Sequence, residues 1–299
     1  MNCYKCHNSL EGDLIHGLHK KCFLEWFCVE ETEMQFKLTM KTAGNSNDPS
    51  AHLNSSFFHG KFKKYSARLG GSGYLIKVRQ EPFFELPASE YLCNQIGKAL
   101  GLEIPDFFLI KLEGQVDAFV CKNFMEKHAD ANLLHLYRLM GEKPFDLENV
   151  IEVILHHTED ECEVERFVRI CLFDALIGNH DRHGRNLAFI QTPRGKILAP
   201  FYDNPSCLAI EEEWLLKAYH EPCCKIHTSK SLEPKMSDYV VEFGRLGFKH
   251  VVEGFTQSIN MPKIASLIAL AFISTARKEA LLKLVERRYE ELQKGLKNV

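Results

Sequence analysis

The sequence holds no run of about 18 consecutive apolar residues, so no membrane-spanning helix is expected from it. Its opening, Met1-Asn2-Cys3-Tyr4-Lys5-Cys6, carries no apolar stretch after the lysine, which argues against a secretory signal and for a cytoplasmic protein. Internal repeats and low-complexity tracts are absent. A charge excess is missing too: 37 Lys and Arg stand against 40 Asp and Glu, a net charge of −3. Bulk electrostatics therefore give no reason to bind nucleic acid or an anionic membrane. What remains is ordinary globular composition, 45% hydrophobic and 26% charged over 299 residues, enough for one large or two smaller domains. The eleven cysteines, in a reducing compartment, read as buried thiols or metal ligands rather than disulfides.

The patterning divides the chain. Residues 1–25 are rich in Cys and His, and residues 26–56 read as a linker leading into a loop, with Asn45-Ser46-Asn47-Asp48-Pro49-Ser50 as a turn-forming stretch. From 57 to 125 the pattern is mostly strand. Tyr65–Leu69 and Tyr74–Val78 flank Gly70-Gly71-Ser72-Gly73, a hairpin signal. Leu92, Ile96, Ala99 and Leu100 recur at helical spacing before Gly101, and Phe107–Leu112 and Ala118–Cys121 read as two more strands. Residues 126–299 form the second part, and from about 146 onward the pattern is helical, with helices expected over 147–156, 162–177, 237–247, 262–273 and 275–296, and short strands over 187–203. A small sheet carrying one helix, followed by a helical half, predicts an α+β protein of two lobes with its site in the cleft between them.

The densest chemistry lies in Gly178-Asn179-His180-Asp181-Arg182-His183-Gly184-Arg185-Asn186-Leu187, a polar loop between an apolar helix and an apolar strand. It contains Asp181-x4-Asn186, and Asp203 follows in Phe201-Tyr202-Asp203-Asn204. Phosphoryl transfer needs a carboxylate to take the proton of the attacking hydroxyl, and an amide and a second carboxylate to hold magnesium. By itself Asp-x4-Asn also suits a turn whose Asp and Asn cap neighbouring elements. Upstream, Lys77 lies in a strand just after the glycine turn, with Glu90 on the next predicted helix and Glu85 as a less well placed competitor. An edge-strand lysine facing water is the bland alternative for Lys77. The ordered series of Lys, Glu, Asp-x4-Asn and Asp is far rarer by chance than any one member.

With these residues in place, the sequence resembles the HipA-like serine/threonine kinases of bacterial toxin–antitoxin systems. The matching stretches are Leu75-Ile76-Lys77-Val78, Ser89-Glu90-Tyr91 through Leu100-Gly101-Leu102-Glu103-Ile104-Pro105-Asp106, Phe173 through Asn186, and Ala199-Pro200-Phe201-Tyr202-Asp203. The resemblance implies a two-lobed kinase-like fold using ATP and Mg²⁺. It implies Asp181 as catalytic base, Asn186 and Asp203 as Mg²⁺ ligands, Lys77 on the ATP phosphates with Glu90 as its partner, and His183 as a catalytic-loop histidine. It places the hinge at Val120, Cys121, Lys122, Asn123 and Phe124, against the adenine.

The phosphate-covering loop departs most from the family. The pattern S-x-S/A-G-x-Q-x-K has its counterpart in Ser55-Ser56-Phe57-Phe58-His59-Gly60-Lys61, where Gly60 is kept and the Gln is absent. Ser55 and Ser56 are the candidates for the autophosphorylation that silences family members, with a turn cap as the alternative. The chain is also shorter than a full HipA, which resembles the short form HipT of HipBST systems. That implies a separate small HipS-like protein and a DNA-binding HipB-like antitoxin as partners, and an aminoacyl-tRNA synthetase as substrate. A kinase-shaped regulator or scaffold without catalysis is the competing reading, favoured by the altered loop and opposed by the retained Lys77, Asp181, Asn186 and Asp203.

At the N-terminus, Cys3-x2-Cys6 and His19-x2-Cys22 give two chelating pairs, a spacing suited to one tetrahedral Zn²⁺. His16 rivals His19, and reduced thiols in a short helix are the alternative. His220, Cys223, Cys224 and His227 form a weaker cluster, read as packing of the activation segment.

Overall fold

The computed structural model describes residues 2–40, 64–113, 116–128 and 130–298. Two short strands, β1 (Leu14–Ile15) and β2 (Leu18–His19), form a hairpin that runs straight into helix α1 (Lys20–Phe27). Five antiparallel strands then build the N-terminal sheet: β3 (Lys37–Met40), β4 (Lys64–Leu69), β5 (Ser72–Val78), β6 (Phe107–Leu112) and β7 (Val116–Lys122), in the order β3-β4-β5-β7-β6. Leu69 pairs with Ser72 across Gly70 and Gly71, whose φ of 53° and 77° is the backbone a two-residue hairpin turn requires. Helix α2 (Leu86–Ala99) starts on Pro87 in its first turn and lies against β6 and β7.

Beyond the hinge, β8 (Asn132–His135) pairs with β9 (Ala188–Thr192), which pairs in turn with β10 (Gly195–Leu198). The helices are α3 (Leu147–Thr158), α4 (Glu161–Ile177), α5 (Met236–Arg245), α6 (Lys249–Ser258), α7 (Met261–Leu270) and α8 (Thr275–Asn298). α4 is the centre of this lobe. It packs against α3, α5, α6 and α8, and Phe167, Ile170, Phe173 and Leu176 are fully buried on it. No helix among the described residues is long and apolar enough to cross a membrane.

The α+β, two-lobed expectation matches this architecture, and the expected elements lie within a few residues of the observed ones. Two differences matter. Strand β3 falls in the stretch read as linker, where it pairs with β4 and so belongs to the sheet. Helix α6 was not anticipated, because its apolar face is only Val251, Val252 and Phe255 within a polar ten-residue segment.

Candidate active site

Lys77 points inward from near the end of β5, opposite Phe119 of β7. Its ammonium lies 2.5 Å from Glu90 Oε1 on α2 and donates a still shorter bond to Asp203 Oδ1. Lys64, at the start of β4, reaches Asp203 Oδ2 at 3.4 Å. Two ammoniums and two carboxylates thus neutralise one another in a site where Lys77 and Glu90 are buried. Burial disfavours the Lys77 charge, but Asp203 and Glu90 together hold its pKa above the ordinary lysine value. Burial likewise opposes ionisation of Asp203, and Lys64 and Lys77 outweigh it, holding that carboxyl well below the usual range. Glu90 is pushed up by burial, partly offset by Lys77, and Asp203 adds to the rise. Asp203 also sits at φ 56°, a left-handed backbone uncommon outside glycine and Asn or Asp. The competitor Glu85 is engaged elsewhere: it accepts from the Ser274 N–H at 3.1 Å and pairs with Arg277 at 3.4 Å.

The loop after α4 is held from inside by a residue that the sequence reading passed over. Arg182 is 1% exposed. Its Nε and Nη2 donate to Asp174 at 2.8 and 3.0 Å, and Nη2 also donates to Asn204 Oδ1 at 2.5 Å. Its Nη1 donates to the carbonyls of Asn186 at 3.1 Å and Tyr202 at 2.8 Å. One guanidinium therefore ties the backbone beside both expected Mg²⁺ ligands to the end of α4. Asn179 donates to Asp174 and accepts from the Asp181 N–H, while Asn186 Nδ2 donates to the Asp181 carbonyl at 2.9 Å. The Asp181 side chain is left 66% exposed, as a base that must meet an incoming hydroxyl requires. His183 Nε2 lies 3.8 Å from Asp181, beyond hydrogen-bond reach, and its Nδ1 accepts from the Arg185 N–H. Arg182 links the Asn186 carbonyl to that of Tyr202, the residue before Asp203.

A cavity of about 480 Å³ opens between the lobes, within the usual size of small-molecule sites. Lys77, Glu90 and Asp203 form its charged wall, and Cys121, Lys122 and Phe124 its hinge side. Phe124 stacks against Tyr202 at 6.0 Å, and burial pushes the Cys121 thiol up to about 12, so it packs as a neutral group. Hinge geometry is set by Asn123, whose N–H donates to the Gly73 carbonyl and whose side chain caps the turn at Met125. Gly60, Ser55 and Ser56 lie outside the described residues.

The HipA-like C-terminal domain family matches residues 34–280. The chain belongs to that family. A Haemophilus influenzae protein named as a kinase is 28% identical over 151 residues, 44% of this chain and 44% of that protein. The Helicobacter pylori serine/threonine-protein kinase CtkA is 28% identical over 130 residues, 40% of each chain. The matched segment thus spans under half the length of these curated relatives. Among solved structures, the H. pylori proinflammatory kinase CtkA superposes with a TM-score of 0.69 at 20% identity, over 80% of this chain and 91% of that one. Shewanella oneidensis HipA, solved with HipB and operator DNA, gives 0.50 at 14% identity, over 78% of this chain and 59% of that one. The HipA-like, kinase-type fold is therefore the architecture of this chain.

For a HipA-like chain, two of the three residues the sequence reading missed, Asp174 and Lys64, had visible signals. Asp174 is a lone carboxylate on the apolar face of a helix, and Arg182 sits among the loop's charged residues with nothing to mark it as buried. Lys64 follows Gly60 by the spacing that separates glycine and lysine in the family's loop pattern.

The Cys/His expectation stands apart, before the residues the family covers. Cys3, Cys6, His19 and Cys22 converge, with all four ligand atoms within 4.8 Å of one another. His19 Nε2 donates to the Ser9 carbonyl at 3.0 Å, which leaves the Nδ1 lone pair facing Cys6 Sγ at 3.4 Å and Cys22 Sγ at 3.9 Å. Burial opposes ionisation of Cys3, but the backbone N–H groups of Cys6, His19 and Lys5 bring it down to about 7. Cys22, facing the other two thiols, is pushed up to about 12 by burial and by them. His16 is not part of the cluster; it donates from Nδ1 to the Lys111 carbonyl at 2.9 Å. Among the described residues no second cluster of this kind occurs.

Proposed function

We propose that this chain is an ATP-dependent serine/threonine protein kinase acting in the cytoplasm as the toxin of a HipBST-type toxin–antitoxin system. The observation that carries this reading is Lys77 held between Glu90 and Asp203 on the charged wall of the cleft. ATP would enter as substrate, its base against Cys121, Lys122 and Phe124 and its phosphates toward Lys77 and Gly60. The carboxylate of Asp203 and the amide oxygen of Asn186 are hard donors of the type Mg²⁺ takes, and that ion would neutralise charge on the phosphates. Asp181 accepts the proton of the attacking serine or threonine hydroxyl, and Arg182 keeps its loop in place. Lys77, positioned by Glu90, meets charge developing on the transferring phosphoryl group. His183 contributes to the loop beside Asp181. A structural Zn²⁺ is assigned to Cys3, Cys6, His19 and Cys22.

Family resemblance supports an aminoacyl-tRNA synthetase as substrate, a small HipS-like protein as partner, and autophosphorylation at Ser55 or Ser56. The HipB and operator DNA bound to Shewanella HipA support a HipB-like antitoxin partner. One feature favours a catalytically weak regulator or scaffold instead: the missing Gln in the loop around Gly60. Incubation with ATP, Mg²⁺ and each bacterial aminoacyl-tRNA synthetase, followed by phosphopeptide mapping, separates the two. The kinase reading expects one synthetase to gain a phosphate that the Asp203→Ala variant does not transfer. No phosphorylated synthetase, together with no ATP binding by the wild type, would favour the scaffold.

A further inference from the structure

We propose that the Zn²⁺ knuckle is a positioning device for the helix that carries Glu90, so that occupancy of the metal site sets the geometry of the Lys77–Glu90 pair. The functional half of this statement rests on the kinase reading above; the structural half does not.

The four ligands are ready for a metal. Three thiols and an imidazole nitrogen are the donor set of structural zinc sites, and His19 is already fixed in the tautomer that offers Nδ1, through its bond to Ser9. The supporting segment is tiny. β1 and β2 are two residues each, and α1 is eight. Elements this short have little stability of their own, and metal binding adds free energy by cross-linking them. Cys3, Cys6 and Cys22 bind as thiolates, so uptake releases their protons.

The knuckle does not hang free. Its hairpin turn covers β6 at the sheet edge: the Lys111 N–H donates to the His16 carbonyl at 2.8 Å, and His16 donates back to the Lys111 carbonyl. Tyr4 donates to Asp117, which also pairs with Lys111 at 2.7 Å. Tyr4 meets the Phe272 ring edge-on at 4.6 Å and His7 stacks on it at 5.1 Å. Phe272 lies two residues before Ser274, the residue that grips Glu85 at the start of α2. Cys22 lies in the first turn of α1, and α1 ends in Trp26 and Phe27. Trp26 packs on Tyr91 at 6.1 Å and on Phe108 at 5.7 Å; Phe27 packs on Phe108 at 4.3 Å. Tyr91 is the neighbour of Glu90. The metal ligands therefore connect, through one short helix, to the outer side of α2, and through Tyr4 and His7 to the segment that holds its beginning. None of the four ligands lines the cleft, so any effect of the ion on phosphoryl transfer must pass along this route.

The test uses the full chain. Metal content is measured on the purified protein, and hydrogen exchange of α2 is compared with that of α4 before and after stripping Zn²⁺ with a chelator. The same exchange is measured in Trp26→Ala, which keeps all four ligands. The expected result is one Zn²⁺ per chain, lost in Cys6→Ser and Cys22→Ser. Exchange in α2 should rise at least tenfold over α4 in the stripped protein. Trp26→Ala should show the same rise with its Zn²⁺ retained, and re-adding Zn²⁺ should restore protection only to the wild type. If autophosphorylation is present, it should fall in parallel. Absent transfer in the wild type with the α2 effect intact would overturn the kinase reading and leave the buttress standing. Substoichiometric Zn²⁺ in the wild type, unchanged α2 exchange after stripping, or a uniform rise that includes α4 would each overturn the proposal.

Discussion

At Lys77 one ammonium meets two carboxylates, and replacing it with an apolar side chain leaves Glu90 and Asp203 as like charges sharing a buried space, with Lys64 still beside Asp203. Removing one partner of such a pair costs roughly 3–5 kcal/mol. Lys77→Met should therefore lose stability as well as ATP binding, whereas Asp181→Gln, exposed and held only through its backbone, should change stability by less than about 0.5 kcal/mol. Chemical denaturation of the two variants checks the contrast. The same cost applies to Arg182→Met, which would strand the buried Asp174 carboxylate; a loss of about 3–5 kcal/mol is expected, with no surface change to account for it. Asp203 adds a pH signature. Its carboxyl is held below the ordinary value of about 4, so its contribution is complete above that pH and is lost as pH falls toward the lowered value. Asp203→Asn should be less stable than wild type at pH 7, and the gap should narrow below about pH 4. The meeting of Lys77, Glu90 and Asp203 was legible because residue type and order point to it. Arg182 was not, because a charged residue in a polar loop gives no sign that five acceptor contacts will bury it.

Elements place these groups, and the end of α4 is under tight constraint. α4 ends at Gly178, at φ 71°, where an added Cβ would lie 2.8 Å from Leu284 Cδ2 and 2.9 Å from Pro222 Cγ. Gly178→Ala should cost at least about 1 kcal/mol through backbone strain alone and shift the loop that follows, lowering transfer more than ATP affinity; thermal melts and separate kcat and KM values test this. The hairpin at Gly70-Gly71 and the long helices α2, α4 and α8 were readable because glycine punctuation and a repeating apolar face leave few alternatives. β3, β8 and α6 were not, since each is short and gains its stability from a partner distant in sequence: β3 from β4, β8 from β9, and α6 from α4. The convergence of Cys3, Cys6, His19 and Cys22 was readable from spacing, but the path from α1 to Tyr91 was visible only once the helix was packed.

Across the whole molecule, the sheet lobe supplies Lys77 and the hinge, while the helical lobe supplies Asp181, Asn186 and Asp203. The two are joined where Asn204 donates to Asn94 at 2.7 Å and where Lys77 and Lys64 cross to Asp203. The charged wall of the cleft is thus assembled from both lobes. The most direct test is intact mass and phosphopeptide mapping of purified wild type and Asp181→Gln, each incubated with ATP and Mg²⁺. The account predicts a phosphate on Ser55 or Ser56 in the wild type and none in Asp181→Gln. Equal phosphorylation of both proteins, or none in either together with no ATP binding, would contradict it.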